Sequence, residues 1–204
     1  MIKRNVIGIS GGSGSGKSVF IKDLRHRFLP DEIAVISQDN YYKPREIQKT
    51  DPQGVRNFDL PYSVDLDAFT HDLERLIRGE SVTRTEYGFN NPLARPETIT
   101  ITPAGVIVVE GLFVFSHQRV WDLLDLRVFI HASDSQRLSR RIIRDQTERN
   151  YPLEDVLYRY EYHVAPSYKT YIEPFQNQVD IIINNFSDYH IGLKVLEAYI
   201  RSLL

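Results

Sequence analysis

An α/β fold, a parallel β-sheet covered by helices on both faces, is predicted for this chain by three observations. The first is the octapeptide Gly11-Gly12-Ser13-Gly14-Ser15-Gly16-Lys17-Ser18, which fits the phosphate-loop pattern G-x-x-x-x-G-K-[ST] at every specified position. The second is a series of short apolar runs, several of which end in polar or acidic residues. The third is that amphipathic helical stripes stand between those runs, the alternation expected of parallel strands with crossover helices. Together they predict a P-loop NTPase-type sheet of five parallel strands, with a small β-hairpin insert, in one domain over residues 1–204.

The first strand is Asn5-Val-Ile-Gly-Ile-Ser10, a brief apolar run that leads into the phosphate loop. After the loop, Val19, Phe20, Leu24 and Phe28 fall on one face of a helix. The glycines allow backbone N–H groups to turn inward at that helix start, where the dipole favours an anion. A second strand, Ile33 to Ser37, ends at Gln38-Asp39. Residues 40 to 64 are polar and turn-rich, and a loop of that length inside a compact domain is usually functional. Leu66, Phe69, Leu73, Leu76 and Ile77 form a helical stripe that stops at Gly79. Val82 to Tyr87 and Thr98 to Thr102 suit a hairpin. Val106 to Val109 is a central strand closed by Glu110-Gly111, and Leu126 to His131 is the fourth. Helices follow from Ser133-Asp134 towards Arg149 and from Leu153 to Tyr171; Val179 to Ile183 is the fifth strand, and Tyr189 to Leu204 a closing helix.

With 204 residues there is room for one good core, and a net charge of −2 offers no footprint for nucleic acid or a membrane surface. Cysteine is absent, which excludes disulfides, thiolate metal sites and thiol chemistry. The first apolar run enters the phosphate loop, so it reads as a core strand and not a leader, and a cytoplasmic location is expected.

Ligands of such sheets bind beyond the carboxyl ends of the strands. The phosphate loop, Asp39 and Glu110 each follow a strand and should therefore meet at one rim. Lys17 is placed to reach terminal phosphates, and Ser18 and Glu110 to organise Mg²⁺. Asp39 reads either as an ordinary turn residue or as a base for a substrate hydroxyl. Arg137, Arg141 and Arg144 share one helix face at i, i+4 and i+7, which fits either a solvated ion-pair surface or a phosphate-binding face.

Beyond the phosphate loop, the segments Ser37-Gln-Asp-Asn-Tyr-Tyr-Lys43, Asn57-Phe-Asp-Leu-Pro61, Val108-Val-Glu-Gly111 and Arg140-Arg-Ile-Ile-Arg-Asp145, with Glu148-Arg149, resemble the uridine kinase branch of the phosphoribulokinase-like P-loop kinases. The resemblance covers nearly the whole chain. It implies transfer of phosphate from Mg²⁺–ATP to a nucleoside hydroxyl, and a homo-oligomeric assembly. It implies further that Asp39 is the base and a neighbour of the metal. By the same match Tyr42 lies near the acceptor, Asp59 binds ribose hydroxyls, and Tyr87 and Phe89 line the base pocket. Arg141 would meet the substrate, and Arg144 and Arg149 would close over the ATP phosphates. An acceptor loop over about 39–64, an insert over about 82–102 and an arginine-rich lid over about 137–159 follow from the same match.

Three positions depart from the family pattern: Pro92 stands where a base-reading histidine is typical, Tyr151 where an arginine is expected, and Arg159 where a glutamine is expected. All belong to the acceptor pocket, so another riboside or a sugar-like acceptor is the alternative to uridine or cytidine. Asn90, Asn91 and Arg159 are candidates to replace the lost groups. A GTPase switch is disfavoured because the nearest string to N-K-x-D is Asn177-Gln-Val-Asp180, which lacks the lysine. A non-catalytic nucleotide-binding module is disfavoured because Lys17, Ser18, Asp39 and Glu110 are all intact.

Overall fold

In a computed structural model, residues 4–89, 95 and 97–204 are described. The calls on Asn90, Asn91 and Pro92 lie outside them. Strands β1 (Asn5–Ser10), β2 (Ile33–Ser37), β5 (Val106–Glu110), β6 (Leu126–His131) and β7 (Ile181–Asn184) form one sheet in the order β2-β5-β1-β6-β7. Every pairing within it is parallel. Strands β3 (Val82–Thr85) and β4 (Thr98–Ile101) pair antiparallel as the separate hairpin.

Alternate residues of the central strands feed two cores. Val6, Ile36, Ile107 and Val109 face helix α2 (Leu66–Arg78), which contributes Phe69, Leu73 and Leu76. Ile7, Ile9, Val106, Val108 and Val128 face helices α1 (Lys17–Arg25) and α7 (His190–Arg201), which contribute Phe20, Leu24, Leu193 and Ile200. Burial on both faces is why β5 reads as an unbroken apolar run.

Helix ends follow the capping rules. Asp65 caps α2 by accepting from the Ala68 N–H at 3.0 Å, and Gly79 closes it with φ of 92°. Ser133 and Gln136 form a capping box on α4 (Asp134–Thr147).

The sequence reading needs correction in four places. Val19 is 56% exposed, so the apolar face of α1 is Phe20, Ile21 and Leu24, with Phe28 buried just beyond the helix end. Helix α4 stops at Thr147, and Arg149 lies in the turn that Asn150 completes with φ of 53°. The stretch 153–171 is not one regular helix. It runs as α5 (Leu153–Arg159), a π turn (Tyr160–Val164), α6 (Ala165–Ser167) and a second π turn (Tyr168–Ile172). Pro166 sits between the two π turns and lacks an N–H to donate, so the i→i−4 ladder is broken there and re-formed at wider spacing. The last strand begins at Ile181 because Asp180 is used before it: its carboxylate accepts from the Arg127 N–H at 2.8 Å.

The loop over 39–64 is built from short 3-10 turns and two isolated bridges, Tyr42 with Val64 and Thr50 with Arg56. Buried Gln48 holds it together by donating to the carbonyls of Lys43 at 2.8 Å and Ser63 at 3.2 Å. His117 and Trp121, assigned no role from sequence, are packing residues: Trp121 stacks near Phe115 and Phe175, and His117 meets Thr70.

Helix α4 lies so close to the phosphate loop that a Cβ on Gly14 would overlap the Arg137 carbonyl oxygen, and Gly14 itself has φ of 80°. An alanine there would add a left-handed-region cost of about 1–2 kcal/mol to that overlap. Gly14→Ala is therefore expected to lower the melting temperature by at least about 2 °C, read by calorimetry, and to weaken ATP binding in a titration.

Candidate active site

Strand register sets the polar rim. Ser37 and Ile9 both stand opposite Glu110, so the ends of β2, β5 and β1 arrive together. Lys17, first residue of α1, donates to Glu110 Oε2 at 2.6 Å, with both side chains 8% exposed. Ser37 Oγ donates to the other Glu110 oxygen. Burial pulls the Lys17 pKa down, but the Glu110 and Asp39 carboxylates more than offset this and leave it above its ordinary value. Burial pushes the Asp39 carboxyl upward, as does Glu110; Lys17, Arg149 and Arg144 oppose this without cancelling it.

A cavity of about 800 Å³ runs from this rim to the hairpin. At one end it is lined by Gly12, Ser13, Gly14, Gly16, Lys17 and Ser18, the phosphate-loop residues expected to hold ATP. Gly11 and Ser15 do not line it. Ser15 is buried behind the loop, where its carbonyl accepts from Asn185 Nδ2 at 2.8 Å and Arg140 Nη1 at 3.4 Å. Glu110 likewise stands behind Lys17 and does not line the cavity, whereas Asp39 does.

At the other end the cavity meets Tyr42, Asp59, Tyr87 and Phe89, all anticipated, together with Phe58, which was not. Ring centroids are 5.2 Å apart for Tyr42–Tyr87, 5.1 Å for Tyr87–Phe89 and 5.7 Å for Tyr42–Phe89. Burial, reinforced by Asp39 and Asp59, holds the Tyr42 hydroxyl well above its usual pKa, so it is a neutral donor.

The arginines divide. Arg137 is 2% exposed, ion-paired to Asp134 and stacked over Tyr168 with its guanidinium 3.5 Å from the ring centroid; it does not line the cavity. Its place on the supposed phosphate face is thus structural, because Tyr168 covers it. Arg141, Arg144 and Arg149 do line the cavity and converge on Asp145, at 3.1, 2.8 and 3.4 Å. Asp145 is 1% exposed. Arg141 also donates to Ser13 Oγ at 2.8 Å and lies 3.5 Å from Asp59, joining the two ends of the site. Arg149 stands 4.2 Å over the Phe89 ring. A solvated ion-pair surface is excluded for Arg137 and Arg141, which are buried. Asp145 was legible as the acid at −4 from Arg149 and +4 from Arg141, though that spacing alone cannot separate a buried hub from a surface pair.

A second missed group sits on the acceptor loop. Asp51 accepts from His163 Nε2 and Tyr158 Oη, each at 2.8 Å, and from the Val55 and Gln53 N–H groups. Burial would raise the Asp51 pKa, but these donors outweigh it and pull the carboxyl to about 2. Tyr158 therefore ties the loop to α5.

The residues present suit a polyphosphate. Lys17 and six arginines, Arg45, Arg140, Arg141, Arg144, Arg149 and Arg159, border a cavity floored by loop glycines, where an anion would meet compensating charge. Among the described residues no cluster of three or more His, Cys, Asp or Glu side chains could hold a metal alone. The donor set offered beside the loop is the Ser18 hydroxyl and Asp39, with Glu110 behind Lys17, which suits an ion held chiefly by phosphate oxygens and water.

Comparison with known proteins decides the family. The model described as "Phosphoribulokinase / Uridine kinase family" matches residues 6–192. The chain belongs to that family. It is 34% identical over 205 residues to the uridine kinase of Leuconostoc citreum, covering 100% of this chain and 98% of that one. It is 36% identical over 199 residues to the uridine kinase of Borrelia duttonii, covering 98% and 95%. A putative fructose transport system kinase from Silicibacter sp. superposes with a TM-score of 0.67 at 19% identity, over 89% and 90% of the two chains. A possible uridine kinase from Bacillus stearothermophilus gives 0.56 at 20%, over 89% of each. These solved structures bear out the fold. Family membership makes the protein an ATP-using kinase. No helix among the described residues is long and apolar enough to cross a membrane.

Among the described residues, Asp145 is the carboxylate that Arg141, Arg144 and Arg149 share. Asp145→Asn should lower stability by about 3 kcal/mol, or about 6–12 °C in melting temperature for a chain of this size. Pyrophosphate should restore more of the melting temperature in the variant than it adds to the parent; calorimetry reads both.

Proposed function

We propose that the protein transfers the γ-phosphoryl group of Mg²⁺–ATP to the 5′-hydroxyl of a nucleoside, uridine or cytidine. The observation that carries this reading is the shared cavity: Asp39 and Lys17 border it near the phosphate loop, and Asp59 with an aromatic trio borders it at the far end. The relatives named uridine kinase support the acceptor class.

In this reading the loop N–H groups and Lys17 hold the phosphates, and Lys17 keeps its charge because of the carboxylates beside it. Ser18 and Asp39 would hold Mg²⁺, with Glu110 behind Lys17, and the ion would neutralise charge on the phosphate oxygens. Asp59 accepts from two neighbouring ribose hydroxyls. Tyr42, Tyr87 and Phe89 stack on a flat ring, and Arg141 spans from Asp59 to the phosphate loop. Asp39 takes the proton of the attacking hydroxyl. Arg144 and Arg149 meet negative charge as it moves between donor and acceptor, and by covering the cavity they disfavour water as the acceptor.

The departures at Tyr151 and Arg159 favour a second reading in one respect. Both line the cavity, and a riboside other than a pyrimidine nucleoside, or a sugar, would also offer hydroxyls to Asp59.

An ATP-consumption screen over nucleosides, ribosides and sugars tests the acceptor. Turnover equal to that with water alone for every compound would refute the reading. Asp39→Asn should retain ATP binding and lose about 10²–10⁴-fold in kcat. Asp39 must be ionised to accept a proton, and burial with Glu110 holds its pKa above the usual carboxylate value. The acid limb of the kcat/KM profile should therefore fall off at a pH above about 4, where a free aspartate would already be charged.

A further inference from the structure

His163 is a buried titratable side chain to which the proposed reaction gives no task. It lies within the π turn over Tyr160–Val164 and is 2% exposed. Its Nε2 stands 2.8 Å from Asp51 Oδ2, while its Nδ1 is buried without a hydrogen-bond partner among the described residues. Asp51 also accepts from Tyr158 Oη and from the Val55 and Gln53 N–H groups; burial opposes them, yet these donors bring its pKa to about 2. An ionised carboxylate can only accept, so Nε2 carries the proton in this contact. The ring is committed to one directed hydrogen bond.

That bond reaches the acceptor side of the cavity through the backbone. The Asp51 N–H donates to the Val55 carbonyl at 2.9 Å, and the Asp51 carbonyl accepts from the Gly54 N–H at 2.9 Å. The bridge between Thr50 and Arg56 closes this turn. Just past it, the Asn57 N–H donates to the Lys49 carbonyl at 2.8 Å, so Asn57 is tied to the strand that enters the turn. Asn57 Oδ1 in turn accepts from the Asp59 N–H at 2.9 Å. A series of hydrogen bonds thus runs from the His163 ring to the backbone of Asp59. Neither His163, Asp51 nor Asn57 borders the cavity, whereas Asp59 does. The Asp59 carboxylate meets Arg141 at 3.5 Å, and its reach towards an acceptor depends on where this backbone puts it.

We infer that His163 is a positioning residue for the acceptor: through Asp51 it fixes the turn over 50–56, and through Asn57 it fixes the Asp59 carboxylate against the acceptor's hydroxyls. This rests on the nucleoside reading above, in which Asp59 accepts from the ribose, and adds the residue that holds Asp59 in register. An apolar ring of similar size would fill the same space without choosing an orientation for the turn. The Nε2–H group chooses one, because a hydrogen bond weakens steeply away from linearity.

The experiment measures KM for uridine and for ATP separately, with kcat, in three variants. His163→Phe keeps a ring in place and removes the donor. It should raise the uridine KM by about 3- to 10-fold, the worth of one hydrogen bond, and leave kcat and the KM for ATP near the parent values. His163→Gln returns an N–H to the reach of Asp51 and should recover most of the uridine KM, a rescue that a role in packing alone would not give. Asp51→Asn sets an amino group among donors and should show the same selective rise. It carries the comparison if His163→Phe folds poorly. Combined with His163→Phe it should add less than the two single effects together, since both act on one contact. Equal rises in the two KM values, an unchanged uridine KM in His163→Phe or Asp51→Asn, or a glutamine variant no better than the phenylalanine one would overturn the assignment. Failure of the wild-type protein to phosphorylate uridine would instead overturn the nucleoside reading on which the assignment stands.

Discussion

The contact between Lys17 and Glu110 joins three segments that are far apart in the chain, because Glu110 ends β5, Lys17 begins α1 and Ser37 at the end of β2 donates to the same carboxylate. Such a pair is a weak source of stability, since the desolvation of two charges nearly cancels their attraction. Its consequence is positional. A lysine held at 8% exposure against a carboxylate stays protonated and aimed at the rim, so the phosphate end of the cavity carries a fixed positive charge. Burial and the same carboxylate raise the proton affinity of Asp39, so Glu110 acts from behind on both Lys17 and Asp39.

Around that pair the site is assembled by balancing charge in a space poor in water. Three guanidiniums gathered on one buried carboxylate leave surplus positive charge at the cavity wall. Burial, with the repulsion of Arg144 and Arg141, lowers the Arg149 pKa against the opposing pull of Asp145 and Asp39. An incoming anion completes the balance. In the proposed reading the charge that meets phosphate is tied to helix α4, whose backbone presses on the phosphate loop at Gly14.

Much of this was readable in the residues, and the limits are physical. The central strand β5 was legible because burial on two faces demands an uninterrupted apolar run, and the rim followed because parallel strands present their carboxyl ends together. Asp39, Asp59, Tyr42, Tyr87 and Phe89 reach one cavity as the family resemblance implied. Helical phase was less informative. Val19 is apolar but exposed and borders the cavity, while Phe20 and Leu24 of the same helix fill the core. Arg137 shares the spacing of Arg141 and Arg144 but is covered by Tyr168, a residue of a distant π turn that no local pattern announces. Buried Asp145 and exposed Asp134 look alike in sequence, and tertiary packing alone separates them.

The irregular helix after Tyr151 ties these parts together. A continuous α-helix from Leu153 would rotate successive side chains by a fixed angle, whereas the π turn over Tyr160–Val164 inserts an extra residue and shifts that phase. Tyr158 and Arg159, just before the turn, and His163, within it, all reach the loop between Asp51 and Arg56. That loop continues directly into Phe58 and Asp59 on the cavity wall, so the helix positions the acceptor-side carboxylate from behind while Arg141 meets it from the front. Pro166 breaks the regular ladder just beyond the first π turn and favours the altered phase. The acceptor end is therefore a composite of a loop and an imperfect helix, each of which holds the other in place. Substitutions along Leu153–Arg159 would therefore act on the acceptor loop, whereas Tyr168, further along, packs on Arg137 beside the phosphate loop.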